Sequence, residues 1–395
     1  MALTIYCDEL SDELLARQYL CRDGLSAATV ERLPSLATAP EVLKPLLRWE
    51  RHDWVIVRDG VIVCTVEFSR HGYTGDNGFQ RFARLFRSAS LGTPTIYFTP
   101  FSRTRLNELD EGLQAPRNVA PELFQTLLRM GETYNVACVG MNWPTTHDGT
   151  AAPLTSPAAL PQLHQLCDLV RALAVTAPGA SLDFVADNFP DVVTAMRTQA
   201  AIPFTGTATR GLLSLPVEMT ESRWIWDWLP DGYFGHGKAD KVLAAVALAL
   251  ERERPVVGEG DPFWEREGQA WVLFLGYQWR PDPASGLVAL AAETADRMGL
   301  PLVVVWPRVF RDRNGADRRS ALLALNEFQA SGTGAVYDEA VRLGLSGDAI
   351  ARFRDRVSTN DNQFGTYAAN SKPGRILADV AAAVVLGDVI LAPPT

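Results

Sequence analysis

Two stretches of the chain repeat one order of elements, and this order restricts the fold more than any other feature. The first is the strand VIVCTVEFS, the helix NGFQRFARLFRSASLG and the strand TPTIYFTP. The second is the strand WVLFLGYQW (271–279), the helix SGLVALAAETADRMG (285–299) and the strand LPLVVVWP (300–307). Strand, crossover helix and strand make the βαβ unit, so an α/β protein is expected. A Gly-x-Pro step joins helix to strand in both stretches (Gly92–Pro94 and Gly299–Pro301). This match favours an internal duplication, although two βαβ units also arise independently because the unit is common.

The composition is that of an ordinary globular protein. The chain has 395 residues, of which 47% are hydrophobic and 21% charged, and these values exclude a disordered or collagen-like chain. Its longest apolar runs are far shorter than the ~18 residues that cross a bilayer, so no membrane association is expected. The first residues lack a basic segment, and the five cysteines form no CxxC pair. These features predict a cytoplasmic protein.

The chain is expected to contain two lobes. Residues 144–162 (PTTHDGTAAPLTSPAALPQ) are rich in Pro, Thr and Ala, which is typical of a linker. This places an N-terminal α/β lobe at 1–143 and a C-terminal α/β lobe at 163–395. The first ~50 residues are predicted to be helical, because SDELLARQYL and PEVLKPLLRW carry apolar residues at helical spacing.

Two carboxylates flank a predicted hairpin. Asp53 starts the first strand, Asp59-Gly60 supplies the turn, and Glu67 lies near the end of the second strand. The start of one hairpin strand lies beside the end of the other, so both carboxylates are expected at the same edge of the sheet. Such a pair repels unless a divalent cation relieves it, and Mg²⁺ binds to a few carboxylates while keeping several waters. In the alternative interpretation, Asp53 caps a strand and Glu67 faces solvent.

The order Asp53-Trp-Val-Ile-Val, turn, Val-Cys-Thr-Val-Glu67-Phe-Ser69, basic helix and strand resembles the PD-(D/E)XK nuclease superfamily, which includes many type II restriction endonucleases. The resemblance covers roughly residues 40–142. It implies a mixed central sheet flanked by helices, as in the restriction-endonuclease core, and Mg²⁺ (or Mn²⁺) held by Asp53 and Glu67. It also implies a supporting acid, for which Glu41 and Glu50 are candidates, and hydrolysis of DNA by metal-activated water.

The chain departs from the family motif at one position. The family usually has Lys two residues after the Glu, where this chain has Ser69. Gln80 and Arg81 of the following helix are the predicted substitutes. Arg70 is adjacent, but in a continuing strand its side chain would point to the opposite face.

The segment after the carboxylates is basic although the whole chain has a net charge of −9. Six arginines and one acid lie between residues 70 and 105, and a phosphate-cleaving site needs cationic side chains for its substrate. A solvated charged face is the alternative interpretation. The predicted DNA-binding residues are Arg70, His71, Arg84, Arg87, Arg103 and Arg105.

The second stretch lacks the acids, since the position matching Glu67 is predicted near Tyr277 or Gln278. The C-terminal lobe is therefore predicted to be a degenerate repeat that does not cut.

The sequence and its resemblance thus predict a Mg²⁺-dependent DNA endonuclease of restriction type, acting as a homodimer or a pseudo-dimeric monomer. The alternative is a catalytically inactive nuclease-fold protein that binds nucleic acid or acts as a scaffolding subunit, which Ser69 and the acidic net charge favour. A third candidate is nucleotide binding by GYFGHGK (232–238), although Ala239 replaces the hydroxyl residue that this motif requires.

Overall fold

The fold is given by a computed structural model. It describes residues 2–22, 25–70, 75–103, 117–118, 121–146, 151–202, 263–267, 270–274, 281–305, 329–330, 376–377, 379–386 and 389–392. The chain divides into two compact units, Met1–Thr205 and Gly206–Thr395. The GYFGHGK motif lies outside the described residues.

The first unit is built on a mixed six-stranded sheet. Its order is β2-β1-β3-β4-β5-β8, where β1 and β2 pair in parallel, β1, β3 and β4 are successively antiparallel, and β4, β5 and β8 are parallel. The predicted α/β architecture with a mixed sheet is confirmed. The strands are β1 (Leu3–Cys7), β2 (Thr29–Arg32), β3 (Trp54–Arg58), β4 (Val61–Phe68), β5 (Thr95–Thr99) and β8 (Cys138–Asn142); β6 (Ser102–Arg103) and β7 (Arg117–Asn118) form a separate pair.

Helices connect and cover these strands. The first helical segment, Leu10–Leu15, continues into a π-helical turn at Ala16–Leu20. None of the helices in the described ranges is both long and apolar enough to cross a membrane. The helices of the unit are α1 (Leu10–Leu15), α2 (Lys44–Leu47), α3 (Gly75–Ser90), α4 (Pro121–Tyr134), α5 (Leu160–Val175), α6 (Leu182–Asn188) and α7 (Pro190–Ala200).

The β3–β4 hairpin forms where the sequence predicts it. Asp59 and Gly60 have φ angles of 48° and 79°, the left-handed conformation of both central residues in the hairpin turn that Asp-Gly favours. The register places Trp54 opposite Val66. Asp53, which precedes Trp54, therefore lies beside Glu67, as the predicted hairpin requires.

Helix α3 ends as predicted but begins earlier than Asn77, at Gly75. Gly92 follows it with a φ of 68°, a left-handed conformation that stops a helix and that only glycine adopts freely. The buried side chains of α3 recur at helical spacing, which explains why its period was visible in the sequence. They are Phe82, Ala83, Leu85, Phe86 and Ala89.

The first 50 residues match the helical prediction only in part: SDELLARQYL is helical, but two strands, β1 and β2, were not predicted. The side chains of β1 alternate between buried and partly exposed, and Leu3, Ile5 and Cys7 belong to the core. This alternation extends over only five residues, too few to stand out beside the longer helical pattern that follows. Of the predicted helix from Pro40, the helical residues are Lys44–Leu47.

The boundary between the units is corrected from the predicted linker to Thr205/Gly206. Helix α5, which begins at Leu160 near the end of the predicted linker, packs on the first sheet and contributes Leu163, Leu166 and Val170 to the same core as Trp54. Its apolar face therefore belongs to the first unit. Within the predicted linker, the backbone N–H of Ala152 donates to the carbonyl of Pro144 at 2.8 Å.

The described part of the second unit contains another six-stranded sheet with the order β12-β14-β13-β11-β10-β9. Strands β9 and β10 are antiparallel, β10, β11 and β13 are parallel, and β14 is antiparallel to both β13 and β12. The elements are β9 (Phe263–Glu267), β10 (Ala270–Phe274), α8 (Pro281–Met298), β11 (Leu302–Val305), β12 (Gln329–Ala330), β13 (Ala381–Leu386) and β14 (Val389–Ala392).

Part of each sheet has the same topology. An antiparallel hairpin, a helix and two further parallel strands occur as β3-β4-α3-β5-β8 in the first unit and as β9-β10-α8-β11-β13 in the second. Gly299 has a φ of 64°, close to that of Gly92. The N–H of Thr65 donates to the Pro94 carbonyl at 2.9 Å, and that of Trp271 donates to the Pro301 carbonyl at 2.9 Å. The two stretches therefore correspond residue by residue at the helix-to-strand step.

Candidate functional site

Asp53 and Glu67 form the centre of the candidate site. Asp53 stands immediately before β3, and its Oδ2 accepts a hydrogen bond from the N–H of Phe68 at 2.5 Å. Glu67, the residue before Phe68, lies opposite Asp53 in the hairpin, and its side chain is 0% exposed. The structure thus brings together the two carboxylates that the sequence singled out. It also excludes the alternative in which Glu67 faces solvent.

Two arginines of α3 neutralise Glu67. Arg81 and Arg84 each donate from Nη1 to Oε1 of Glu67 at 2.6 Å. Glu67 Oε2 is buried and accepts no hydrogen bond from the part of the protein that the structure describes. One oxygen of this carboxylate is therefore doubly paired and the other is available to a ligand. A buried oxygen without a partner carries a desolvation cost that a bound cation would offset.

Arg84 has a structural role. Its guanidinium also pairs with Glu50 at 3.4 Å, and its side chain is 15% exposed. Burial would lower the pKa of Arg84, but its attraction to Glu67 outweighs this and raises the pKa, so the group stays charged. The predicted DNA-binding role of Arg84 is corrected, because its side chain is too enclosed to bind a phosphate backbone. Glu50, the predicted supporting acid, pairs with Arg84 and is not among the residues that line the cavity described below.

Asp12 is a third carboxylate that sequence reasoning missed. It belongs to α1, and its Oδ2 accepts a hydrogen bond from the N–H of Glu9 at 3.0 Å. Burial, with added repulsion from Glu9, Asp8 and Glu67, raises its pKa to about 6. Burial and the nearby Glu67 also raise the pKa of Asp53 well above its usual range. Both carboxyls therefore hold a proton more tightly than usual.

A cavity of about 600 Å³ opens beside this cluster. Asp12 lies on its wall because β1 and α1 pack against the hairpin, a contact distant in sequence. Helix α1, rather than the segment containing Glu41, therefore places a further carboxylate on the cavity wall. Glu41 is 87% exposed and pairs with Lys44. The residues that line the cavity are Glu9, Ser11, Asp12, Leu15, Asp53, Phe68, Ser69, Arg70, Arg81, Trp143 and Leu154.

Two cationic side chains, Arg70 and Arg81, lie on the cavity wall. Strand β4 ends at Phe68, so the alternation expected for a continuing strand stops and Arg70 lines the same cavity as Ser69. The guanidinium of Arg70 lies 5.7 Å from the ring centroid of Trp143, and no carboxylate among the described residues forms an ion pair with it. Arg70 is therefore free to bind an anion, as its predicted role requires.

The remaining predicted residues are distributed as follows. Ser69 is 3% exposed on the cavity wall, and Arg81 occupies the position beside Glu67 that was predicted for a lysine substitute. Arg87 donates to the carbonyl of Pro45 and lies over Trp49, away from the cavity. The side chains of Gln80 and Arg103 lie outside the described part of the structure, as do residues His71 and Arg105.

A buried polar chain lies behind the two carboxylates. His52 Nε2 is 2.9 Å from Ser88 Oγ, which is 2.9 Å from Thr65 Oγ1, and Thr65 Oγ1 donates to Thr95 Oγ1 at 3.0 Å. Burial lowers the pKa of His52 to about 4 despite the nearby Glu67. His52 is therefore neutral at physiological pH, and it joins β3, α3 and β4 behind the site.

The residues of the site fit a cation that binds to few protein ligands. In the described ranges no group of three or more His, Cys, Asp or Glu residues is arranged to hold a metal ion. Asp53 and Glu67, whose Oε2 has no partner among the described residues, nevertheless supply two carboxylate groups at facing positions of the β3–β4 hairpin. Mg²⁺ is commonly held by one or two carboxylates while it keeps its waters and contacts substrate phosphate. The donor set thus fits Mg²⁺ or Mn²⁺ and does not fit a metal that needs a full protein cage.

The second unit lacks this donor set at the matching positions. Matching Gly92 to Gly299 aligns Tyr97 of β5 with Val304 of β11. Glu67 pairs with Tyr97 in the first sheet, and Leu273 pairs with Val304 in the second. Leu273 therefore occupies the position of Glu67. Leu273 is buried and lies opposite Trp264, which takes the position of Asp53. The counterpart of Glu67 is thus Leu273, and the prediction near Tyr277 or Gln278 is corrected because β10 begins at Ala270.

Comparison with protein-family models, with curated proteins and with solved structures finds no match for this chain.

Proposed function

We propose that the protein is a Mg²⁺-dependent DNA endonuclease of restriction type whose hydrolytic centre is formed by Asp53 and Glu67. The observation that carries this proposal is the unpaired, buried Oε2 of Glu67 beside Asp53, at a cavity that also holds Arg70 and Arg81. A carboxylate pair for a divalent cation and cationic groups for phosphate are what phosphodiester hydrolysis requires.

Each residue has a distinct task in this proposal. Asp53 and Glu67 Oε2 hold the cation, which would lower the pKa of a bound water and neutralise charge on the phosphate. Arg84 keeps Glu67 in position through its buried ion pair. Arg81, beside Glu67, takes the role that the motif lysine has in the family and stabilises negative charge at the phosphate. Arg70 orients the substrate through its free guanidinium.

The protonation of Asp53 makes the site dependent on pH. Burial and Glu67 raise the pKa of this carboxyl, so at low pH it carries a proton that competes with the cation. Cation binding and cleavage should therefore strengthen as pH rises through the raised pKa. Asp12 adds negative charge above a pKa of about 6 and strengthens the same dependence.

The second unit is proposed to be a non-cleaving copy of the same core. The matching topology supports a common origin, and Leu273 and Trp264 replace the two carboxylates. Each chain would then contain one hydrolytic centre. Cleavage of both DNA strands would require two successive nicks or two chains.

The alternative proposal is an inactive nuclease-fold protein that binds nucleic acid or serves as a scaffold. Two observations favour it: Arg81 and Arg84 already neutralise Glu67, and Ser69 replaces the lysine of the motif. In that protein the arginine pair would take the place of the cation. Arg70 and Arg81 would still bind phosphate.

A cleavage assay tests the proposal. Mixed plasmid, phage and base-modified DNAs are incubated with Mg²⁺, Mn²⁺ or EDTA and with the wild type, Asp53→Asn or Glu67→Gln. Glu41→Gln is the matched control, because it removes an exposed carboxylate outside the cavity. We expect metal-dependent cleavage by the wild type and by Glu41→Gln, and loss of cleavage in the other two variants.

Two outcomes would contradict the proposal. Cleavage that persists in Asp53→Asn and Glu67→Gln would place the hydrolytic centre elsewhere. Retention of DNA without cleavage under any metal condition would support the inactive nucleic-acid-binding protein instead.

A further inference from the structure

The cavity beside the carboxylates has an apolar part that phosphate hydrolysis alone does not explain. Leu15, Phe68, Trp143 and Leu154 line it together with the charged residues. The Phe68 ring forms T-shaped contacts with both Trp54 and Trp143, with ring centroids 4.9 and 6.3 Å apart, so this wall is a packed aromatic cluster. A phosphodiester backbone offers no matching apolar surface, whereas a nucleobase does.

The size of the cavity suits one nucleotide. Its volume of about 600 Å³ lies within the ~300–1,000 Å³ range of small-molecule sites. A cavity of this volume cannot enclose a double helix. A base stacked inside a duplex reaches such a cavity only after it leaves the stack.

The polar groups of the cavity complement a nucleotide. Arg70 and Arg81 supply cations for the phosphate, next to Asp53. Glu9, Ser11 and Asp12 lie on the α1 side, where carboxylates can accept hydrogen bonds from the exocyclic amine of cytosine or adenine. Phosphate-binding, base-edge and apolar groups are thus present in a single cavity.

We propose that this cavity binds a single unstacked nucleotide next to the scissile phosphate, with its base against Leu15, Trp143 and Leu154. The preferred substrate is then single-stranded or locally unpaired DNA. This inference rests on the proposed function for the cleavage step, while the binding of the nucleotide stands independently of it.

The test compares binding of fluorescent oligonucleotides, in EDTA, as a single strand, as a duplex with one unpaired base and as a fully paired duplex. Leu15→Trp fills the apolar part of the cavity without removing a charged group. Leu14→Trp is the matched control, because Leu14 is 58% exposed and does not line the cavity. Leu15→Phe provides a milder filling substitution, and the melting temperature of each variant shows whether it folds.

We expect the wild type and Leu14→Trp to bind the unpaired substrates at least tenfold more tightly than the paired duplex. Leu15→Trp should lose that preference and bind the single strand about 10-fold to 100-fold more weakly, the range expected when a stacked base loses its contacts. Binding of Mn²⁺, followed as a shift in melting temperature, should be unchanged in Leu15→Trp.

Equal binding of all three substrates, or unchanged single-strand binding in both Leu15 variants, would overturn the inference. If either result is found and the protein still cleaves paired duplex in a metal-dependent way, the proposed function stands and only the cavity inference fails. If instead no cleavage occurs but single-strand binding is sensitive to Leu15→Trp, the cavity inference stands and the nuclease proposal fails.

Discussion

Replacement of the buried His52 should change how stability responds to acid. His52 has a pKa of about 4 in the folded protein, against 6.5 for the ordinary side chain, because burial penalises its charged form. The unfolded chain therefore binds more protons than the folded chain between these values. Stability should be fully present above pH ~6.5 and be lost as the pH falls towards ~4.

The size of this effect follows from the two pKa values. Each tenfold difference in proton affinity corresponds to about 1.4 kcal/mol, so the full loss approaches about 3 kcal/mol. Between pH 7.5 and 4.5 the contribution of His52 amounts to about 2.5 kcal/mol. His52→Gln keeps an amide that can reach Ser88 but has no proton to gain, so its free energy of unfolding should lack this loss.

Urea denaturation at pH 7.5 and 4.5, followed by tryptophan fluorescence, measures the difference. Other groups titrate in both proteins. The quantity to compare is therefore the change in free energy of unfolding between pH 7.5 and 4.5, taken for the wild type and for His52→Gln, and the difference between these two changes is the contribution of His52. An identical pH dependence in the two proteins would refute the argument that His52 is buried in its neutral form. His164→Gln is the control, because that histidine lies on α5 against Tyr19 and takes no part in the hydrogen-bond chain of His52.

Three further predictions concern single residues. Arg84→Met should destabilise the protein by about 3 kcal/mol in urea denaturation, because it removes one of the two arginines that neutralise the buried Glu67; the double variant with Glu67→Gln should recover part of the loss, and equal losses would argue against the pair. Asp12→Asn should raise the melting temperature more at pH 8 than at pH 5, because a carboxyl with a raised pKa of about 6 loses folding stability as pH rises towards that value; a larger gain at pH 5 would contradict this. Gly92→Ala should cost about 1–2 kcal/mol through its φ of 68° alone, since an added Cβ meets no atom within 4 Å; an unchanged midpoint of unfolding would be inconsistent with a left-handed residue there.

The local parts of the fold were readable from the sequence. The Asp59-Gly60 turn, the β-branched run of β4 and the Gly92 stop each depend on neighbouring residues. The position of Asp53 beside Glu67 followed from the hairpin alone. Strands β1 and β2 were missed because each is short and is stabilised by pairing across a large sequence distance.

The candidate site could be predicted only in part, because some of its residues come together through contacts between segments distant in sequence. Asp12 reaches the cavity through the packing of α1, which no spacing in the sequence reveals. Arg84 carries the charge of a phosphate-binding residue, yet its position on the buried face of α3 directs it to Glu67 and Glu50. Arg70 reaches the cavity only because β4 ends two residues earlier, a detail of tertiary structure.

Titration of the protein with Mn²⁺, detected by the loss of its free-ion signal in electron paramagnetic resonance, tests the proposed metal centre most directly. We expect the wild type to bind one Mn²⁺ per chain at pH 8, since Leu273 and Trp264 occupy the matching positions of the second unit. Asp53→Asn and Glu67→Gln should abolish this binding, while Glu41→Gln should retain it. Binding of one Mn²⁺ that is unaffected by Asp53→Asn and Glu67→Gln, or no binding by the wild type, would contradict the assignment of these two carboxylates.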